Sequence, residues 1–276
     1  MSALPYMART SSGLFLLLLS RSAWSQCGIL SWDAYRSVPH SFPYVLRLAD
    51  LPGELLIFGA QHTKDPSHPE LPEIERLWRG FRPQVAFSEG GIRPAARSFG
   101  EAVTRFGEPG LLRLLADRDR VELRSLEPAE DEEAAALAPQ FQPGQVKLFN
   151  VLRNLSSDSP ADGRSLEGRQ RAALESVRHR QRLTGSPSSL KELSAIAARL
   201  LPELTDWRLI SRSWFDPTRT DTFLNEIARR SSDYRNCYMV PLLIQTVREG
   251  KRVFVVVGGA HAVVQEVALR SALRAR

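Results

Sequence analysis

Leu55-Leu56-Ile57-Phe58-Gly59-Ala60-Gln61-His62 and Val253-Phe254-Val255-Val256-Val257-Gly258-Gly259-Ala260-His261 use the same device, once near each end of the chain. Each is an apolar run that closes on Gly-x-x-His. Each reads as a buried strand that turns at glycine and presents a histidine at its carboxyl tip. Apolar residues on both faces are expected of a strand covered by helices on both sides, as in parallel sheets. Ligands of open α/β sheets bind at the carboxyl edge, so two histidines delivered there point to one composite site.

Between the two motifs the pattern alternates strand and helix. His62 to Pro69 is an irregular loop, because Pro66 and Pro69 exclude a regular helix. Glu70 to Gly80 predicts a helix with Ile74, Leu77 and Trp78 on one face and Gly80 as its stop. Pro83 to Gly91 is a second strand and turn, which completes a βαβ unit, right-handed by default. Helices are expected over about 95–106 and 109–118. Val121 to Glu127 alternates with period two and predicts a more exposed strand.

Residues 130–205 read as helical, in segments 130–138, 145–153, 164–182 and 188–200, with breaks at 156–163 and 184–188. This block is expected to form a lid or subdomain that shapes the pocket. Thr220 to Gly250 is a long helical pattern with Phe223, Ile227, Tyr234, Tyr238 and Leu242 on one stripe, and Pro241 implies a kink or a break. The last strand is 252–257, followed by a helix over about 262–273. Upstream, a Pro- and aromatic-rich stretch contains a short strand at Val45 to Leu48. The expected fold class is α/β: a central, mostly parallel sheet flanked by helices, with a helical insertion at about 130–205.

Composition agrees with a globular chain. The 276 residues are 43% apolar and 25% charged, enough for one domain with a sizeable core. No apolar run reaches the roughly 18 residues of a spanning helix. Residues 1–25 contain no acid, carry Arg9 ahead of Gly13 to Leu19, and offer small residues at Ala23 and Ser25. That layout reads as a secretory signal cleaved after Ser25, the alternative being a short membrane anchor or a mis-called start codon; cleavage is expected to leave 26–276 as a single α/β catalytic-like domain in the periplasm or secreted. The net charge is +6, but only four of the 37 basic residues are lysine, and the arginines are scattered. No basic patch interleaved with aromatics suits a nucleic acid. Cys27 and Cys237 are the two cysteines, and the sequence leaves open a single disulfide or two separate thiols.

Three strand tips therefore carry Gly59-x-x-His62, Glu89-Gly90-Gly91 and Gly258-x-x-His261, and Glu127-Pro128 ends a fourth. Two chemistries fit. Two imidazoles and a carboxylate can hold a divalent metal with a water in an open position, and such a metal activates that water as a nucleophile. Alternatively His62 is a general base oriented by Glu89, with His261 or an arginine stabilising the oxyanion. Asp65 and His68 in the first loop are additional ligand candidates; their positions before Pro66 and Pro69 equally set turns. Glu127 is either a ligand or a solvated strand-end acid. Arg235 adjoins the apolar stripe, and its position alone is compatible with leaning inward or snorkelling outward.

Gly59-Ala60-Gln61-His62, Ser88-Glu89-Gly90, Arg235-Asn236 and Gly258-Gly259-Ala260-His261, in this order and spacing, resemble the TraB/PrgY–GumN–Tiki group. Its wider superfamily includes erythromycin esterase-like proteins and ChaN-like haem-binding lipoproteins. The resemblance spans roughly residues 54–273. It implies an α/β fold and a site in which His62, Glu89 and His261 are catalytic or metal ligands. It also implies a catalytic Arg235, with Asn236, Gly59 and Gly258 lining the substrate site. The expected cofactor is a divalent ion, manganese, cobalt or zinc, and the expected activity is hydrolysis of a peptide or ester in a peptide or small-molecule substrate. Two further readings of the same fold are a haem- or ligand-binding protein and a catalytically silent interaction domain.

Overall fold

The computed structural model describes residues 27–49, 52–142, 144–157, 165–176 and 189–274. The signal sequence expected at 1–25, the break at 184–188 and part of the helix expected at 164–182 lie outside these residues. In chain order the elements are α1 (Trp32–Tyr35), β1 (Tyr44–Leu48), β2 (Glu54–Ala60), α2 (Glu70–Phe81), β3 (Val85–Ser88), α3 (Phe99–Phe106), α4 (Glu108–Asp119) and β4 (Glu122–Ser125). There follow α5 (Glu130–Leu137), α6 (Gln145–Ser157), α7 (Leu166–Ser176), α8 (Leu190–Leu200), α9 (Phe223–Arg248), β5 (Arg252–Gly258) and α10 (Gly259–Arg274). The fold is α/β, and the sheet is mixed but mostly parallel, as the strand patterns predict.

The sheet order is β1-β2-β5-β3-β4. Only β1 runs antiparallel, against β2, with Tyr44 opposite Gly59. β2 and β5 are parallel neighbours with Ala60 opposite Gly258, so the two Gly-x-x-His motifs emerge side by side. β3 lies on the other flank of β5, Ser88 opposite Val256, and β4 continues the sheet with Ser125 opposite Ser88. β5 is thus made last and fills the place between β2 and β3, so the strands of the first βαβ unit are not adjacent. This register puts the carboxyl ends of β2, β5, β3 and β4 along one edge.

Successive side chains of a strand point to opposite faces, and both faces here are covered. Leu55, Ile57, Val253 and Val255 pack with Met239 and Leu243 of α9 and Leu269 of α10. Leu56, Phe58, Phe254 and Val256 pack on the other face with Ile74 and Trp78 of α2 and Leu111 and Leu115 of α4. The helical insertion has its own core, in which Leu148, Phe149 and Leu193 meet Leu224 and Ile227 from the first turns of α9. A single 26-residue helix therefore serves two cores.

Three local expectations are corrected. α2 does not stop at Gly80; it runs to Phe81 and ends where Arg82 turns left-handed, ahead of Pro83. Of the kink or break expected at Pro241, the break does not occur: α9 runs through Pro241, which is exposed. Its buried stripe shares Ile227 with the expected one but otherwise runs one residue out of phase with it. Leu224, Ala228, Ser231, Arg235, Met239, Leu243 and Val247 are buried, while Tyr234, Tyr238 and Leu242 are only partly covered. The aromatic residues dominated the sequence pattern, whereas the inward face is polar in its middle.

The segment ahead of β1 is strapped across the helices. Leu30 N–H donates to the Val264 carbonyl of α10 at 2.9 Å, and Trp32 Nε1 donates to Asp233 of α9 at 2.9 Å. Cys27 and Cys237 form a disulfide with their Cα atoms 5.6 Å apart, closing a sequence separation of 210 residues. Removing a bridge that closes so long a loop costs about 2–4 kcal/mol. Cys27→Ser and Cys237→Ser are therefore each expected to lower unfolding stability by about that amount. Urea denaturation with and without reductant measures it, and the unreduced wild type should titrate no free thiol among the two.

Candidate functional site

The sheet edge opens into a cavity of about 640 Å³. His62, Glu89, Gly258 and His261 lie in its lining. The first motif delivers His62 immediately beyond β2, with a left-handed backbone (φ 67°) that is uncommon for a residue with a Cβ. The second delivers His261 in the first turn of α10 rather than in a loop before it. Glu89 follows β3 by one residue, its N–H paired to the Val256 carbonyl of β5. Gly258 is required here: a Cβ at that position would sit 2.6 Å from His62 Nε2 and 3.3 Å from Glu89 Oε2. Gly259 equally leaves room for the Phe42 ring, which would stand 2.0 Å from an added Cβ.

Arg235 stands behind this lining, 5% exposed. Its guanidinium donates to Glu127 through Nε at 2.8 Å and NH2 at 2.7 Å, and to Glu89 Oε1 through NH2 at 2.8 Å. Glu127 also accepts from Gly90 N–H at 2.6 Å. Glu127 is therefore neither a solvated strand-end acid nor a member of the cavity lining; it anchors Arg235. Burial acts to raise the pKa of Glu89, but the charges of His261, Arg235 and His62 outweigh it and hold the carboxyl well below its ordinary value. Burial acts to lower the pKa of Arg235, and the two carboxylates more than reverse it. Glu89 is thus a fixed anion, unsuited to donate a proton.

The two histidines have different settings. His261 Nδ1 lies 2.7 Å from Asn236 Oδ1, which also accepts from Gln265 Nε2 at 2.7 Å. With the amide oxygen so placed, Nδ1 carries the proton, and Nε2 faces Glu89 Oε1 at 3.4 Å and Arg235 NH1 at 3.5 Å. His62 is 54% exposed and points Nδ1 at Glu108 Oε2, 4.0 Å away, on a carboxylate that is only 2% exposed. The other Glu108 oxygen accepts the Thr63 N–H at 2.6 Å. The carboxylate nearest His62 Nδ1 is therefore that of Glu108, at a separation longer than a hydrogen bond, while the charge of His62 also acts on Glu89.

Not every residue singled out in the sequence reaches the cavity. Asn236 is fully buried behind His261 and positions it rather than touching a ligand. Gly59 lies within β2, where an added Cβ would meet Gly259 Cα at 2.9 Å and the Tyr44 carbonyl at 3.1 Å, so it serves packing. Asp65 accepts from Ser67 N–H and Oγ and makes a turn. His68 Nδ1 faces the Glu70 N–H at 3.4 Å. Sequence reasoning missed Glu108, Gln265 and the aromatic wall formed by Trp32, Tyr35 and Phe42. Gln265 carried a signal, its spacing of four from His261 on one helix face; Glu108 carried none.

Two imidazoles and a carboxylate are the right donor types for a divalent metal. As placed, however, Glu89 gives one oxygen to Arg235 and the other to the Gly258 N–H at 2.5 Å. Among the described residues no three His, Cys, Asp or Glu side chains converge as a metal-binding group. The arrangement fits a fixed guanidinium at Glu89 rather than a ready metal cage. No described helix is long and apolar enough to cross a membrane. No family model, no curated protein and no solved structure matches the chain.

The ion triad makes two expectations. Arg235→Ala leaves two carboxylates facing each other in a buried place, a loss of about 3–5 kcal/mol. Glu89 titrates lower folded than the ordinary 4.5, so its contribution is complete above that value and is lost as pH falls through the lowered one. Urea midpoints should therefore fall less steeply below pH 4.5 in Glu89→Gln than in wild type.

Proposed function

We propose that this chain is an exported hydrolase that cleaves a peptide or ester bond with a water activated at the sheet edge. The observation that carries the reading is the convergence of His62 and His261, from neighbouring parallel strands, on one cavity backed by a neutralised carboxylate. The motif likeness to the TraB/PrgY–GumN–Tiki group points the same way. The Cys27–Cys237 disulfide supports an oxidising compartment.

In this reading His62 Nε2 is the general base. Glu108 faces Nδ1 and stabilises the imidazolium that forms when Nε2 takes a proton from water. The water oxygen attacks the substrate carbonyl carbon. Negative charge then develops on the carbonyl oxygen. The first-turn amides of α10, which lack partners within the helix, and the positive end of its dipole face the cavity at Gly259 and Ala260 and offset that charge. Collapse breaks the C–N or C–O bond, and His62 returns its proton to the departing amine or alkoxide. Arg235 and Glu89 keep His261 and the floor of the site fixed in a low-dielectric setting.

A metal-assisted form is the second reading. The pair of imidazoles at one cavity favours it, and it requires Glu89 to exchange Arg235 for the cation. Such an ion would supply an acidified water and polarise the carbonyl.

With a panel of chromogenic esters and quenched-fluorescence peptides, His62→Ala is expected to lower kcat about 10²–10⁴-fold. Glu108→Gln should lower it less and shift the acidic limb of the pH–rate profile downward, because the imidazolium loses its anion. Wild type that turns over nothing on the panel overturns the hydrolase reading. Metal analysis of wild type beside His62→Ala and His261→Ala separates the two forms. Stoichiometric manganese, cobalt or zinc, lost in both variants together with activity, selects the metal-assisted one.

A further inference from the structure

We infer that Glu70 is a positioning residue for His62: together with Glu108 it clamps the backbone amides on either side of the histidine and so sets where the imidazole stands. The inference rests on the hydrolase reading for what the imidazole does, and adds to it the device that aims the base.

The His62 ring does not hold itself. Its side chain is 54% exposed, and Glu108 stands 4.0 Å from Nδ1, beyond hydrogen-bond length. The backbone must therefore place it, and the backbone there is unusual, with φ 67°. A residue with a Cβ keeps such a conformation only where its surroundings over-determine it. Both neighbours of His62 are held. Gln61 N–H donates to Glu70 Oε2 at 3.1 Å, and Thr63 N–H donates to Glu108 Oε1 at 2.6 Å. The Thr63 carbonyl in turn lies against Gly107, where an added Cβ would stand 2.7 Å from its oxygen.

The two acids are placed alike. Glu70 is the first residue of α2 and Glu108 the first of α4, where the positive end of a helix dipole favours a carboxylate. Glu70 is 3% exposed and Glu108 2%. Burying an acid is costly unless its oxygens find partners, and Glu70 Oε1 has none among the described residues. An apolar side chain would fill that place at less cost. The hydrogen bond that the Glu70 side chain does make goes to the loop that carries His62. Loops hold a reacting group less precisely than helices or strands do. The clamp lends this loop the rigidity of the two helices whose first residues supply the acids.

Amide hydrogen exchange, read residue by residue by NMR, tests the clamp without turnover. In wild type the Gln61 and Thr63 amides are expected to exchange about tenfold or more slowly than in an unstructured chain. Glu70→Leu fills the same space without an acceptor. It should release the Gln61 amide and leave Leu56 and Phe58 of β2 protected, which separates loss of the clamp from loss of the fold. On a substrate that wild type turns over, Glu70→Leu is expected to lower kcat about 10–100-fold with KM changed less than about twofold, because a base displaced by about 1 Å loses rate while the rest of the cavity is intact. Glu70→Gln keeps an oxygen for the Gln61 amide and should recover most of that loss.

Unprotected Gln61 and Thr63 amides in wild type overturn the inference. So does loss of β2 protection in Glu70→Leu, which would make the role of Glu70 one of folding. Undiminished kcat in Glu70→Leu leaves the hydrolase reading standing and this one fallen. Wild type that turns over nothing does the opposite where the two amides are protected: the clamp stands and the hydrolase reading falls.

Discussion

The buried guanidinium of Arg235 between Glu89 and Glu127 is the constraint on which the site depends. Taking a charge out of water is expensive, and a good ion pair only repays that when every remaining lone pair and proton finds a partner. Here much of that demand is met: Glu127 takes two hydrogen bonds from Arg235 and one from Gly90, and Glu89 takes one from Arg235 and one from Gly258. Because β3, β4 and α9 each supply one member, the triad ties the sheet edge to the helix above it. It also fixes the ionisation of Glu89 in front of His261.

The triad sits where α9 passes from one core to the other. Its early turns pack in the helical insertion through Leu224 and Ile227, and its later turns pack on the sheet through Met239 and Leu243. Ser231, Ser232, Arg235 and Asn236 occupy the stretch between. Those polar groups face the carboxyl ends of the strands, where backbone turns and side-chain acids replace the apolar sheet face. The disulfide joins the strap to the residue after Asn236. One cavity wall and the residues holding His261 are thereby tied to the same helix.

The Gly-x-x-His motifs made the two central strands, both histidines and their shared edge legible, because each motif is local: an apolar run, a glycine and the residue it presents. Glu89 was legible for the same reason. The partners that give these groups their chemistry were not. Glu108 lies 45 residues from Thr63, whose amide it holds beside His62, and Glu127 lies 108 residues from Arg235. No periodicity records pairings across such distances. The phase of α9 was misread for a related reason: Tyr234 and Tyr238 look like core from their composition, yet the helix buries serine, arginine and asparagine, which only the opposing carboxylates and imidazole make acceptable inside.

The sequence by itself determined the α/β class, the strands, the helical insertion and which histidines reach the carboxyl edge. These follow from hydrophobic period and from glycine and proline chemistry, which act over a few residues. The tertiary structure alone decided that β5 inserts between β2 and β3, that Cys27 meets Cys237, and that Arg235 turns inward to two acids. It also decided that Glu108 comes beside His62 Nδ1. The physical reason is that burial and electrostatic pairing depend on which distant groups arrive at the same place, and that is fixed only when the layers pack.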